Sequence, residues 1–179
     1  RVAALLAGDI QVIENAPTSD ISRLKGDKNL SIARVGSNRL IYLHMDSNRD
    51  VAPFITDKAG KPLAKNPLKD ARVRKAISLA INRDAIVGKV MEGEAVAAGQ
   101  PLPDGYPGTS KNLKPDKFDA TAAKKLLADA GYPDGFGITI HAPNNRYVND
   151  EQIAQAIAQM LTRVGIATKV EAMPSSVYF

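Results

Sequence analysis

FGITIHAPNNRYVNDEQIAQAIAQMLTRVGIATKVEAM, residues 136–173, decides how this chain folds. FGITIHA and IATKVEA are short apolar runs rich in β-branched residues, as strands are. Between them Ile153, Ala156, Ile157, Met160, Leu161 and Val164 recur at helical spacing and form one apolar stripe. Asn149 or Asp150 is placed to start that helix and Gly165 to end it. A strand, a helix and a second strand over this length predict two parallel strands joined by a crossover helix that packs on the sheet. Ligands of such sheets sit beyond the C-terminal ends of the strands, in the loops that lead into helices.

HAPNNRYVND, residues 141–150, is such a loop. Arg146 carries a planar fork of donors suited to a carboxylate. Asn144 and Asn145 add neutral donors and acceptors, and Tyr147 adds an amphipathic ring. The dipole of the helix that follows is expected to favour a negative group at the same place. These four residues are the candidate ligand-binding set. The competing reading is a surface arginine bonded locally to Asp150 or Glu151.

Working towards the N-terminus, Asp119 is placed to cap a helix with the stripe Ala122, Ala123, Leu126, Leu127 and Ala130, and Gly131 suits its left-handed end. A further helix is predicted from about Asp70 to Ile81, with Val73, Ala76, Ile77 and Ala80 inward. Asn82 would cap the next one, whose buried face is Ile86, Val87 and Val90. Residues 93–110 form a long breaker-rich loop of the kind that binds a ligand or wraps a neighbour. Residues 46–69 hold Pro53, Gly60, Pro62 and Pro67 and read as too broken for a regular element.

LSIARV (30–35) and RLIYLHM (39–45) read as two strands across a GSN turn, with both faces of the second at least half buried. On that reading His44 is a core or hinge histidine rather than a ligand. At the start, Val2, Leu5 and Leu6 share a helical face up to Gly8, DIQVIE alternates like a strand, and residues 17–24 open a short helix that closes near Gly26. The chain begins in helical periodicity without an initiator methionine and finishes on SSVYF, so it is expected to be an internal piece of a longer protein.

Composition narrows the function. The 179 residues are 44% hydrophobic and 24% charged, as in a folded domain. No window approaches the roughly 18 apolar residues of a membrane-spanning helix. The net charge of +5 is spread along the chain rather than gathered into a stripe, which argues against a nucleic-acid partner. With no cysteine, and with His44 and His141 far from any ligand spacing, neither a metal site nor thiolate chemistry is expected. No nucleophile elbow, phosphate loop or dinucleotide fingerprint occurs, so no cofactor and no enzymatic activity are expected. Asp70, Asp84 and Asp119 stand at helix starts, where a carboxylate stabilises exposed amides.

RVAALLAGDIQVI, PLKDARVRKAISLAINRDAIVGKVMEGEA, DKFDATAAKKLLADAGYPDGFGITI and NNRYVNDEQIAQAIAQMLTRVGIATKVEAMPSSVYF resemble, in this order, the extracellular solute-binding proteins of peptide and nickel ABC transporters. The likeness to this dipeptide- and oligopeptide-binding family runs over nearly the whole chain. RVRKAISLAINRDAI and AKKLLADAGY, with its distance to GI, are the most specific parts.

The resemblance implies a periplasmic-binding-protein-like α/β lobe with a mixed sheet. It also implies a receptor without enzymatic activity, exported to the periplasm or the outer face of the membrane. Such a receptor closes two lobes over a peptide or similar solute and passes it to permease subunits. By the same mapping, residues 1–34 correspond to the end of the first lobe and the hinge strand, and residues 35–179 to the second lobe, incomplete at its C-terminal end. Arg146 falls where dipeptide-binding relatives carry the arginine that pairs with the peptide carboxylate. The acidic residue that meets the peptide amino group in those relatives corresponds to a position beyond Phe179. Gln11 stands where the first-lobe strand usually has an aspartate. The alternative is a free-standing interaction or anionic-ligand-binding module with no role in transport.

Overall fold

The parallel pair forms as its pattern predicts. In the computed structural model, which describes residues 1–179, the elements run α1 (Val2–Ala7), α2 (Thr18–Lys25), β1 (Ile55–Thr56), α3 (Ala71–Ala80), α4 (Arg83–Ala85), α5 (Ala120–Asp129), β2 (Phe136–Pro143), α6 (Asp150–Arg163), β3 (Ile166–Met173) and α7 (Ser175–Tyr178). β2 and β3 are parallel over their full length, from Phe136 opposite Ile166 to Pro143 opposite Met173. β1 adds an antiparallel edge with Ile55 opposite Ile138, so the sheet is mixed and ordered β1-β2-β3.

One core holds the layers together. Ile153, Ile157 and Leu161 of α6 meet Phe136 and Ile166 of the sheet, and the same cluster takes in Val73, Ala76, Ile77 and Ala80 of α3 with Ala123 and Leu127 of α5. Each large aliphatic side chain buried there contributes roughly 1.5–3 kcal/mol. Alanines on α3 and α5 let those helices approach closely. The far side of β3 stays open, because its residues alternate between covered and exposed positions.

Caps follow the sequence. Asp70 Oδ1 accepts from Arg72 N at 2.8 Å, Asn82 Oδ1 from Ala85 N at 2.9 Å, and Asp119 Oδ1 from Ala122 N at 2.8 Å. α1 stops at Gly8 and the turn after α5 passes through Gly131, both in the left-handed region.

Several expectations need correction. DIQVIE and the segments 30–35 and 39–45 are not strands. Residues 31–45 make no backbone–backbone hydrogen bond, and Val12 and Val35 are exposed. Alternation makes a segment fit for a sheet, but a strand needs a neighbour to complete its ladder, and none lies alongside these segments within residues 1–179. His44 and Tyr42 consequently face solvent, and His44 is not a core histidine.

The 46–69 stretch is more ordered than its breakers suggest. It contributes β1 and a 3₁₀ turn, Pro67–Lys69. Buried Asn66 organises it: Nδ2 donates to the carbonyls of Asp46 (2.7 Å) and Arg49 (3.0 Å), while Oδ1 accepts from Leu68 N (2.9 Å). After Asn82 the helix is a single α turn that widens into a π turn, Ile86–Val90, with Met91 N donating to Ile86 O. Widening swings Ile86, Val87 and Val90 to half-buried positions and gives the buried place to Met91.

Candidate functional site

β2 and β3 end side by side, and the chain leaving each one builds the rim above them. Asn144 N donates to Met173 O at 3.0 Å, and Asn145 Oδ1 accepts from Ser175 N at 2.8 Å. The two asparagines thus splice the loop after β2 to the start of α7. Asn144, Asn145 and Arg146 are exposed and Tyr147 is half-buried, so the four candidate residues do share one rim.

The loop's curvature comes from Asp150. Its carboxylate is buried, with Oδ2 accepting from Arg146 N and Tyr147 N, both at 2.9 Å, and Oδ1 from Glu151 N at 3.0 Å. Asn149, the residue before α6, is left-handed (φ 54°) and makes no side-chain cap. Neither residue is therefore the simple helix cap that its position suggests. One further expectation changes: the positive end of α6 already faces a negative group, the chain's own Asp150, so the helix dipole is not left free for a ligand.

Arg146 is what remains to meet an anion. It takes part in none of the chain's ion pairs, and its link to Asp150 runs through the backbone amide, not the guanidinium. The local pairing with Asp150 or Glu151 does not form. The guanidinium carbon sits 5.2 Å from the centroid of the Tyr147 ring, a cation–π contact that holds the head group without engaging its N–H donors in an ion pair.

Asn149, beside the rim but outside the candidate set, bonds away from it. Asn149 Nδ2 donates to Thr18 Oγ1 (2.9 Å) and to Val90 O (2.8 Å). Four residues beyond Val90, the Glu94 carboxylate pairs with Arg34 (2.8 Å) and Lys25 (3.5 Å). The sequence signal at Asn149, its place before a helix, pointed to capping.

A mixed sheet packed against helices, with Arg146 on the loop beyond its strand ends, is a periplasmic-binding-protein-like α/β architecture, and comparison with known structures agrees on the fold. The chain superimposes on the periplasmic binding protein DppA of Helicobacter pylori, solved with the peptide STSA, with a TM-score of 0.75 and 28% identity over 99% of this chain and 31% of that one. The model of bacterial extracellular solute-binding proteins, family 5 (middle), matches residues 1–179, and the chain belongs to that family. It is 31% identical to the glutathione-binding protein GsiB of Pectobacterium atrosepticum over 97% of this chain, and 29% identical to the dipeptide-binding protein of Escherichia coli over 95% of it. The chain spans about 30% of the length of these relatives. Members of the family are binding proteins of ABC import systems rather than enzymes, and peptides are among their solutes.

Proposed function

We propose that this chain supplies most of the second lobe of a periplasmic receptor that captures a peptide or similar small solute and delivers it to ABC permease subunits. On this reading residues 1–34 end the first lobe and carry the hinge strand, and residues 35–179 belong to the second. Arg146 holds an anionic group of the solute, Tyr147 orients the guanidinium, and Asn144 and Asn145 hold the loop and offer neutral hydrogen bonds.

The unpaired guanidinium of Arg146 carries the proposal. It stands on a loop whose backbone is fixed by Asp150, above the C-terminal ends of two parallel strands. An arginine with no carboxylate of its own is ready for a bidentate partner. The solute then stabilises the closed form, because only there do both lobes contact it.

A thermal-shift screen of the full-length protein against di- and tripeptides, glutathione and nickel–histidine chelates tests this, with Arg146→Ala and Arg146→Lys in parallel. Bound solute raises the melting temperature with occupancy. A carboxylate-bearing solute should stabilise the wild type, act weakly on Arg146→Lys and leave Arg146→Ala unmoved. An equal response by Arg146→Ala would remove the arginine from the site.

A further inference from the structure

Position in this protein is decided at one unusual point. Residues 31–45 carry no backbone–backbone hydrogen bond, so α2 is not held to the rest of the chain by any ladder through that segment. Side chains do the holding, and those that bond across end on Asn149 and on Glu94. Asn149 Nδ2 has two N–H groups and spends both, one on Thr18 Oγ1 and one on Val90 O. Thr18, the first residue of α2, is buried at 6% exposure, so its hydroxyl is shielded from competing water. Four residues beyond Val90, Glu94 takes Arg34 on one carboxylate oxygen and Lys25 on the other.

Asn149 is also the residue that precedes α6, next to the Asp150 carboxylate that shapes the Arg146 loop. Its left-handed backbone, which asparagine tolerates better than most residues, turns the amide away from the helix and towards α2. A serine or aspartate at the same place would follow the usual capping chemistry and bond back to its own helix. Asn149 bonds outward.

We propose that Asn149 is a positioning residue: it clasps the first-lobe segment, through Thr18, to the loop that carries Arg146, with Glu94 as the electrostatic half of the same clasp. The assignment of the two sides to different lobes rests on the function proposed above; the clasp itself does not. Through it the solute loop and α2 share one anchor, so displacement of either is felt by the other.

Hydrogen exchange of the full-length protein without solute tests the clasp independently of any ligand. Asn149→Gly keeps the left-handed backbone and removes only the amide, and Thr18→Val keeps the shape and removes the acceptor. Thr18→Val should speed exchange of the α2 amides about fivefold, the weight of one net hydrogen bond, and Asn149→Gly, which also loses the bond to Val90 O, at least as much, speeding residues 144–148 as well. Thr18→Ser should restore the wild-type rate, and the double variant should exchange no faster than the faster single variant, since both remove the Thr18–Asn149 bond. Glu94→Gln should make α2 exchange faster and less dependent on salt. Unchanged α2 exchange in Asn149→Gly, or fully additive effects in the double variant, would overturn the clasp. Arg146→Ala should leave α2 exchange unmoved, so a failure of the solute reading would not be mistaken for a failure of this one.

Discussion

Replacing Asp150 by alanine isolates what shapes the solute loop. The carboxylate is buried at 7% exposure and accepts three backbone amides, from Arg146, Tyr147 and Glu151. A hydrogen bond to a charged group is worth about 1.5–3 kcal/mol when its partner is left without a replacement. Arg146 is exposed and Tyr147 half-buried, so water recovers part of what their amides lose. The loss of a negative charge at the start of α6 adds about 0.5 kcal/mol. Asp150→Ala should therefore cost about 3 kcal/mol, and Asp150→Asn about half of that, since its single carbonyl oxygen can still serve Arg146 and Tyr147. Urea unfolding read by circular dichroism gives the global cost, and hydrogen exchange at residues 144–151 shows where it falls. A loss below about 1 kcal/mol for Asp150→Ala would show that the splice to Met173 and Ser175 holds the loop without the carboxylate.

Four further substitutions probe the frame around the site. At Gly135, φ is +75° and a Cβ would lie 1.8 Å from the Gly165 carbonyl oxygen, so Gly135→Ala should cost more than about 4 kcal/mol or abolish folding. Gly165→Ala meets nothing nearer than 3.8 Å and should cost only about 1 kcal/mol for its left-handed backbone; thermal melts of the two variants separate these cases. Asn66→Ala leaves three backbone groups of the 46–68 region without their partner and should lose about 2 kcal/mol in urea unfolding, whereas a neutral result would mean that water replaces the amide. Asp70 is held down to a pKa of about 2, first by its side-chain hydrogen bonds with Arg72 and then by the Arg72 backbone amide. Because the folded value lies below the ordinary 3.8, the stabilisation it contributes is full above that pH and is lost as pH falls towards 2. An NMR titration should place the carboxyl near 2 in the wild type and nearer its ordinary value in Arg72→Ala.

The α/β frame was legible because its signals are local. Leu127 and Leu161 are buried where the helical period puts them, and Asp70, Asn82 and Asp119 cap where capping chemistry puts them. The candidate rim was legible in part: Asn144, Asn145, Arg146 and Tyr147 do lie together at the strand ends. That they meet a solute is a proposal, carried by the unpaired guanidinium and by the family likeness. The segments 30–35 and 39–45 misled because alternation reports fitness for a sheet and says nothing of a partner strand. The 46–69 stretch misled in the other direction, since one buried amide, Asn66, orders a loop that its prolines and glycines seem to break.

Sequence by itself determined the parallel strand pair and its crossover helix, because hydrophobic periodicity and left-handed glycines such as Gly165 act within a few residues. Tertiary structure alone decided what Asn149 does. Its partners, Thr18 and Val90, become neighbours only when the chain closes on itself, whereas Asp150 bonds amides one to four residues away. A side-chain amide or carboxylate bonds whatever donor or acceptor the fold brings within about 3 Å, and no local pattern records which one that is.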